Sequence, residues 1–458
     1  MSLKKRIVSA SAWTVGTYGV ENVLRLISSL VLSRLLFPEA FGLISASSSI
    51  IVAIGLFSDL GIRAVIIQSP RGDKDDFLRS AWVFQFLRGM LLWLVLILIC
   101  SIISLPTIGN ALPQGSAFAN KLFPAVTVAL GFGLVLNGFE STAVYLNVRQ
   151  MRFRPFAVVD IVTKIVTIAV MIGLAIRFRD VWALVAGNVS SGILRLVLSH
   201  TVIPGPRMAW NWNKDHFREI IHFGKWITVS SIASFFASQC DILILGVLLS
   251  GAVLGVYSIA RTLVGAAHGL VEKINSSLAL SVLGEVLRES PTELRRKYYR
   301  FRFPIDALSA SIGGLLCATG PQIVGALYDN RYSLAGPMLQ LLAISLAIYP
   351  LQLIRSAFTA IGQTYTVAAV SIISAISLVA FLMVGYLTFG VLGAVAGNAI
   401  SDIVPSMAFL VLAHRQGWVS LWRELRVVPI FVGGDLLGEV GLMLGRFAAP
   451  EHLQHFFR

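Results

Sequence analysis

The stretch LSRLLFPEAFGLISA, from Leu32 to Ala46, consists of two apolar runs separated by a few turn-forming residues and a glycine, Gly42. This pattern predicts a tight helical hairpin, because turn formers between two apolar periodic segments end one helix and start the next. A weaker copy, LGVLLSGAVLGVYSI, runs from Leu245 to Ile259 and places Gly255 where the first copy has Gly42. The two hairpins indicate that the chain contains an internal duplication.

A second pair of similar segments supports the duplication. ALVAGNVSSGIL begins at Ala183 and GAVAGNAISDIV begins at Gly393, at nearly the same offset as the hairpins. We therefore expect an N-terminal six-helix bundle in residues 1–203 and a C-terminal six-helix bundle in residues 223–415, joined by a cytoplasmic linker, 204–222. An even number of helices in each copy keeps both copies in the same orientation, so the two repeats are predicted to be parallel.

The composition is that of a membrane protein. Of the 458 residues, 56% are hydrophobic and 13% are charged, and the mean hydropathy is +0.80. Apolar runs of about 20 residues, enough to cross the hydrocarbon core, recur along the whole chain, whereas alternation with a period of two is absent. The predicted fold class is therefore all-α, a polytopic membrane protein with about 12 transmembrane helices around a central cavity.

The predicted spans follow the apolar runs, and the C-terminal segment 416–458 lies beyond them. In that segment, Trp418 and Trp422 are one turn apart and indicate an interfacial helix, and residues 427–447 are apolar enough for a partial thirteenth helix. The twelve predicted spans are 12–36, 41–67, 78–104, 122–146, 156–177, 181–203, 223–249, 252–281, 303–327, 335–361, 365–388 and 390–413.

The net charge of +14 lies mainly in alternate loops. If the N-terminus is cytoplasmic, the cytoplasmic segments hold 22 Lys and Arg residues and the opposite side holds 5. Positive charge concentrates on the cytoplasmic side of membrane proteins, so we predict a cytoplasmic N-terminus and no nucleic-acid partner. Phosphate-binding loops, nucleophile motifs and clustered metal ligands are absent from the sequence, which therefore predicts no enzyme activity, no cofactor and no metal.

Three segments carry a family resemblance: LSRLLFPEAFG from Leu32, FSDLGIRAVIIQ from Phe57, and SQCDILILGVLLSGAVLGVYSIAR from Ser238. They resemble the polysaccharide transporter family, which belongs to the superfamily that also contains the multidrug and toxic-compound extruders. The resemblance extends over residues 1–415 and consists of helical hairpins, without a catalytic motif.

The resemblance implies a flippase that moves an undecaprenyl-diphosphate-linked oligosaccharide from the cytoplasmic to the outer leaflet of a bacterial inner membrane. Such a protein works by alternating access in the export of a surface polysaccharide. Its expected partners are the lipid-linked oligosaccharide, membrane lipids and other polysaccharide assembly proteins. The alternative is a multidrug or cation extruder of the same superfamily, for which an acid cluster and an aromatic-rich pocket are expected.

Charged residues inside the spans are the candidate site residues, because a charge exposed to lipid costs about 2.5 to 3.5 kcal/mol at a helix centre. Arg88 and Arg195 have no acid four residues away, so we predict that they line the cavity and hold the diphosphate through bidentate contacts. Arg25 is a weaker third candidate, since Glu21 lies four residues before it. Pairing of these arginines with acids on other helices is the alternative.

The acids Glu140, Asp241 and Asp402 lie in spans without a base four residues away. They are the candidates for cavity acids or for coupling to an H⁺ or Na⁺ gradient. Two further pairs have the same spacing as Glu21 and Arg25, namely Asp59 with Arg63 and Asp160 with Lys164. The acid and the base of each pair lie on one helix face and are expected to neutralise each other.

Overall fold

A computed structural model describes residues 3–106, 113, 115–278, 294–360, 363–424 and 426–448. Helices cover nearly all of these ranges. Within the described ranges there is no strand, and the extended pairing consists of one isolated bridge between Ser116 and Ser250. The predicted all-α class is confirmed, and residues 427–447, the candidate thirteenth helix, are helical.

The chain divides into two compact units, residues 1–255 and 256–458. The predicted six-helix halves, 1–203 and 223–415, stay a prediction. The helices that begin in the first unit are α1 Leu3–Leu35, α2 Pro38–Phe57, α3 Ile62–Gln68, α4 Asp75–Ile103, α5 Phe123–Phe139, α6 Ala143–Arg149, α7 Phe153–Phe178, α8 Val181–Thr201, α9 Lys214–Ser238, α10 Cys240–Leu248 and α11 Gly251–Leu278.

The second unit contains long helices and two short ones, α14 and α17. Within 418–426, where an interfacial helix was expected, the described residues form one helical turn, Leu421–Glu424. The helices are α12 Leu294–Leu327, α13 Ala335–Ile348, α14 Leu353–Ala360, α15 Thr364–Ser401, α16 Ile403–Arg415, α17 Leu421–Glu424 and α18 Val427–Ala448.

The predicted count of twelve spans is not confirmed. In the described ranges, seven helices are long and apolar enough to cross a membrane, and the bent pair α5 and α6 adds an eighth. Several apolar runs are interrupted where the backbone leaves the helix. The run 41–67 breaks before Gly61, which adopts a left-handed conformation, and the run 223–249 breaks at Gln239. Between the last two predicted spans, 365–388 and 390–413, the backbone leaves the helix at Gly390, and the close contacts of Gly385 with Gly393 and of Phe381 with Gly397 show that the chain reverses there.

The hairpin tips of the two repeated stretches contact each other within the first unit. A Cβ atom on Gly42 would overlap the carbonyl oxygen of Gly251, and a Cβ atom on Gly255 would overlap the carbonyl oxygen of Pro38. The contact is reciprocal, since each glycine meets the backbone four residues before the other. Only glycine permits two helix backbones to approach so closely.

We expect Gly42→Ala to lower stability by about 1–3 kcal/mol, because its new methyl group meets backbone atoms that cannot rotate away. Gly55→Ala on the same helix is the matched control, since nothing lies within 4 Å of the Cβ position there. The measurement is the thermal midpoint of the detergent-purified protein. Equal midpoints for the two variants would show that the glycine contact does not limit the packing of α2.

Candidate functional site

The first unit contains a cavity of about 1010 Å³ that is lined by residues of the segments from α2 to α9. Polar side chains line much of it, among them Gln85, Asn137 and Asn188. Asn188 belongs to the repeated segment that begins at Ala183, but the sequence did not single it out as a site residue. The charged side chains that line the cavity are three arginines and two acids, Arg63, Arg88, Arg195, Asp59 and Glu140.

The interruption between α2 and α3 lies at the wall of this cavity. The Asp59 carboxylate accepts a hydrogen bond from the backbone N–H of Gly61 at 2.9 Å and another from the Ser231 hydroxyl at 2.9 Å. Thr228 donates to the backbone carbonyl of Asp59 at 2.8 Å. Asp59 therefore stabilises the break and connects it to α9, a role that its spacing from Arg63 does not predict.

A second interruption, with a bend of 63° between α5 and α6, brings Glu140 into the cavity. The freed carbonyl groups find side-chain donors: Gln85 Nε2 donates to the Asn137 carbonyl at 2.6 Å and Trp82 Nε1 to the Phe139 carbonyl at 3.0 Å. Such donors are needed because the bilayer core contains no water that could hydrogen-bond to the freed carbonyl groups. The break is thus held open by residues of α4.

Arg195 is paired with two acids on other elements. Its guanidinium lies 2.7 Å from the Glu140 carboxylate and 2.7 Å from the Asp160 carboxylate, and it faces the ring of Phe156. The expectation that Asp160 pairs with Lys164 is replaced by this contact with α8. Spacing along one helix cannot reveal pairs between helices. For Arg195, the structure shows the alternative given by the sequence analysis, pairing with acids on other segments.

Arg88 differs from Arg195, because its described partners are neutral. One guanidinium nitrogen donates to the Gly55 carbonyl at 2.6 Å and to the Ser58 hydroxyl at 3.1 Å, both at the end of α2. Its Nε atom is buried and has no hydrogen-bond partner, and no described carboxylate forms an ion pair with it. Arg88 therefore places a guanidinium in the cavity wall with neutral hydrogen-bond partners, and Asp59 in the same wall interacts with it electrostatically.

Arg25 lies in a smaller cavity of about 220 Å³ that adjoins the first, since Ser191 and Arg195 line both. Glu21 and Lys164 also line this smaller cavity. Arg25 donates a hydrogen bond to the side-chain oxygen of its neighbour Asn22. Four of the six predicted site residues, Arg25, Arg88, Glu140 and Arg195, thus surround two adjoining cavities.

The other two predicted acids lie elsewhere. Asp241 is buried in the first turn of α10 and lines neither cavity, and Asp402 lies at the junction of α15 and α16 in the second unit. Asp402 interacts electrostatically with Arg355. The described ranges contain no group of three His, Cys, Asp or Glu side chains that could hold a metal ion.

Comparison with known proteins identifies relatives in polysaccharide synthesis. The family profile "Polysaccharide biosynthesis protein" matches residues 31–335. The lipopolysaccharide biosynthesis protein WzxC of Escherichia coli (strain K12) is 21% identical, over 96% of this chain and 89% of its own length. The succinoglycan biosynthesis transport protein ExoT of Rhizobium meliloti (strain 1021) is also 21% identical, over 75% of this chain and 67% of its own length.

Solved structures share the fold. The lipid II flippase MurJ in an inward closed conformation has a TM-score of 0.74 at 13% identity, with 98% of this chain and 95% of MurJ covered. An inward-facing multidrug resistance MATE family transporter of the MOP superfamily has a TM-score of 0.64 at 16% identity, with 90% and 95% covered. Since the family profile matches about two thirds of its length, the chain belongs to the polysaccharide biosynthesis protein family.

Proposed function

We propose that this protein is a flippase that moves an undecaprenyl-diphosphate-linked oligosaccharide across the bacterial inner membrane for export of a surface polysaccharide. Two relatives carry names in lipopolysaccharide biosynthesis and succinoglycan transport, and the fold is shared with a lipid II flippase. The observation that carries the proposal is the polar cavity among apolar helices, with Arg88 facing it. Membrane lipids surround the protein, and other polysaccharide assembly proteins are its proposed partners.

A cavity of this kind lowers the main barrier to flipping. Each hydroxyl group moved into hydrocarbon without a partner costs about 4 to 8 kcal/mol, and a diphosphate costs more. The side chains of Asn137 and Asn188 line the cavity and can form hydrogen bonds to a ligand in place of water, whereas the amide nitrogen of Gln85 is engaged with the bend. Alternating access would then expose these groups to one leaflet and then to the other.

Within this mechanism, Arg88 is the proposed diphosphate contact. Charge-assisted bonds from a guanidinium to phosphate oxygens are strong, and the described hydrogen bonds of Arg88 go to neutral groups, with Asp59 as its electrostatic neighbour. Arg195 is a proposed second contact whose use requires competition with Glu140 and Asp160. Arg25 is a proposed peripheral contact in the smaller cavity.

The acids offer a route for coupling to an ion gradient. If the diphosphate binds Arg195, the carboxylate of Glu140 loses its positive partner and is better placed to accept H⁺ or Na⁺. Asp241 and Asp402 remain further candidates for such coupling, outside the two cavities. The alternative function, extrusion of drugs or cations, is less well supported, because three arginines and two acids line the larger cavity.

We predict that Arg88→Ala slows flipping of a fluorescent lipid-linked oligosaccharide by at least about tenfold in liposomes, the effect of losing about 1.4 kcal/mol. Arg88→Lys should restore part of the rate, since it keeps the charge but not the planar fork. Arg177→Ala is the control, because this exposed arginine at the end of α7 lines neither cavity. An unchanged rate for Arg88→Ala at equal protein level would remove Arg88 from the site.

Arg195→Ala should instead reduce the yield of folded protein. It leaves the Glu140 and Asp160 carboxylates without their partner, and breaking a buried ion pair in this way costs about 3–5 kcal/mol. The triple variant Arg195→Ala, Glu140→Gln, Asp160→Asn removes the stranded charges and should recover much of the monodisperse fraction in size-exclusion chromatography. If the single variant is as monodisperse as the unmodified protein, the ion triad is dispensable for folding.

The proposed orientation places the N-terminus in the cytoplasm. A fluorescent reporter fused after Arg154 or within the linker 204–222 should then be active and a phosphatase fused there inactive, because the distribution of Lys and Arg places these sites in the cytoplasm. At Asp329, on the outer side, the two activities should be reversed. The measurement is paired phosphatase and fluorescence activity in intact cells. A cytoplasmic reporter at Asp329 would reverse the proposed topology of the second half.

A further inference from the structure

Arg63 lines the polar cavity, although its sequence context does not mark it as a site residue. It is the second residue of α3, directly after the break that ends at Gly61. Its spacing from Asp59 predicts a self-neutralising pair. The structure replaces that pair, because the Asp59 carboxylate accepts its hydrogen bonds from the Gly61 N–H and the Ser231 hydroxyl.

The Arg63 guanidinium differs from the two other arginines of the cavity in its partners. Arg195 is held by two carboxylates, and Arg88 donates to two neutral oxygen atoms. Within the described ranges, neither a hydrogen bond nor an ion pair engages Arg63, and its side chain is exposed. Its five N–H donors are therefore left for water or for a ligand in the cavity.

Arg63 and Arg88 act on the same part of the cavity. Arg88 donates to the Ser58 hydroxyl at 3.1 Å, just before the break between α2 and α3, and Arg63 follows that break. Tyr145 of α6 also lines the cavity and interacts electrostatically with both arginines. The positive charges of the two guanidinium groups therefore add in this region, where a low dielectric makes each of them strongly attractive to an anion.

Two such arginines suit a ligand with two phosphate groups. A guanidinium binds one phosphate group through two parallel N–H···O bonds, so a single arginine is enough for a monophosphate. The second phosphate group of a diphosphate needs a second donor group. Arg63 can supply it without giving up a carboxylate, whereas Arg195 must first be released by Glu140 and Asp160.

We propose that Arg63 binds the second phosphate group of the substrate and so makes the cavity selective for diphosphate-linked over monophosphate-linked carrier lipids. This inference rests on the proposed flippase function and on Arg88 as the first phosphate contact. It assigns to Arg63 a role in recognising the linkage between carrier and glycan. Because no described residue depends on Arg63 for a hydrogen bond or an ion pair, replacing it strands no buried charge.

Binding of two prenyl ligands tests the assignment on the full-length chain in an uncharged detergent. Farnesyl diphosphate and farnesyl monophosphate share one tail and differ by one phosphate group. We expect the unmodified protein to bind the diphosphate about tenfold more tightly, which corresponds to about 1.4 kcal/mol. Arg63→Ala should remove most of this preference by weakening the diphosphate alone, and Arg63→Lys should keep part of it, since the charge remains without the planar fork.

Arg218→Ala is the matched control, because Arg218 is an exposed arginine of α9 that lines neither cavity. It should leave both affinities unchanged. Equal affinities of the unmodified protein for the two ligands, or binding of neither, would overturn the assignment. The same holds if Arg63→Ala weakens both ligands equally or weakens neither.

Flipping in liposomes separates this assignment from the proposed function. Arg63→Ala should slow a diphosphate-linked oligosaccharide about tenfold and leave a monophosphate-linked analogue with the same tail and glycan at the unmodified rate. Equal rates of Arg63→Ala and the unmodified protein on the diphosphate-linked substrate would overturn the role of Arg63. If Arg63→Ala loses the preference in binding but the unmodified protein flips no substrate, the phosphate site stands and the flippase function is refuted.

Discussion

The ion triad of Arg195, Glu140 and Asp160 is the interaction on which the polar cavity depends. It connects the bend between α5 and α6 to the next two long helices of the chain, α7 and α8. Each charge would be costly among apolar helices, and two carboxylates around one guanidinium leave the triad with one net negative charge. The triad therefore engages Arg195 at the cavity, whereas the described hydrogen bonds of Arg88 go to neutral groups and its acidic neighbour is Asp59.

The helix interruptions serve the same site. A straight apolar helix directs its backbone groups along its own axis and offers none to a cavity, whereas a break frees carbonyl and N–H groups that must find donors and acceptors. Here the donors come from Gln85 and Trp82 at one break, and Asp59 supplies the acceptor at the other. The same breaks direct Glu140 and Asp59 toward the cavity.

The sequence reveals the helical membrane class and the elements that surround the cavity because hydropathy and charge placement are local properties. Arg88 and Arg195 both line the cavity of the first unit, and their predicted role in holding the diphosphate stays a prediction. Their different partners were not predictable, since Glu140 and Asp160 reach Arg195 from other helices. The count of spans also lay beyond hydropathy, because an apolar run looks the same whether its backbone is continuous or breaks inside it, as the runs 41–67 and 223–249 do at Gly61 and Gln239; the turn at Gly390, in contrast, falls at a predicted boundary.

The balance of charge in the cavity suits a substrate that must leave as well as bind. A transport site must hold its substrate firmly enough to admit it and weakly enough to release it. If Arg63, Arg88 and Arg195 all lacked acid partners, a doubly anionic head group would meet three full charges in a region of low dielectric, where each is strongly attractive. With Arg195 held by its triad, the head group contacts Arg88 in competition with the nearby Asp59 carboxylate and contacts Arg195 only by displacing Glu140 and Asp160. Displacing the two carboxylates from Arg195 costs free energy, which is regained when the substrate leaves and the ion pairs form again. The triad therefore limits how tightly the proposed substrate binds.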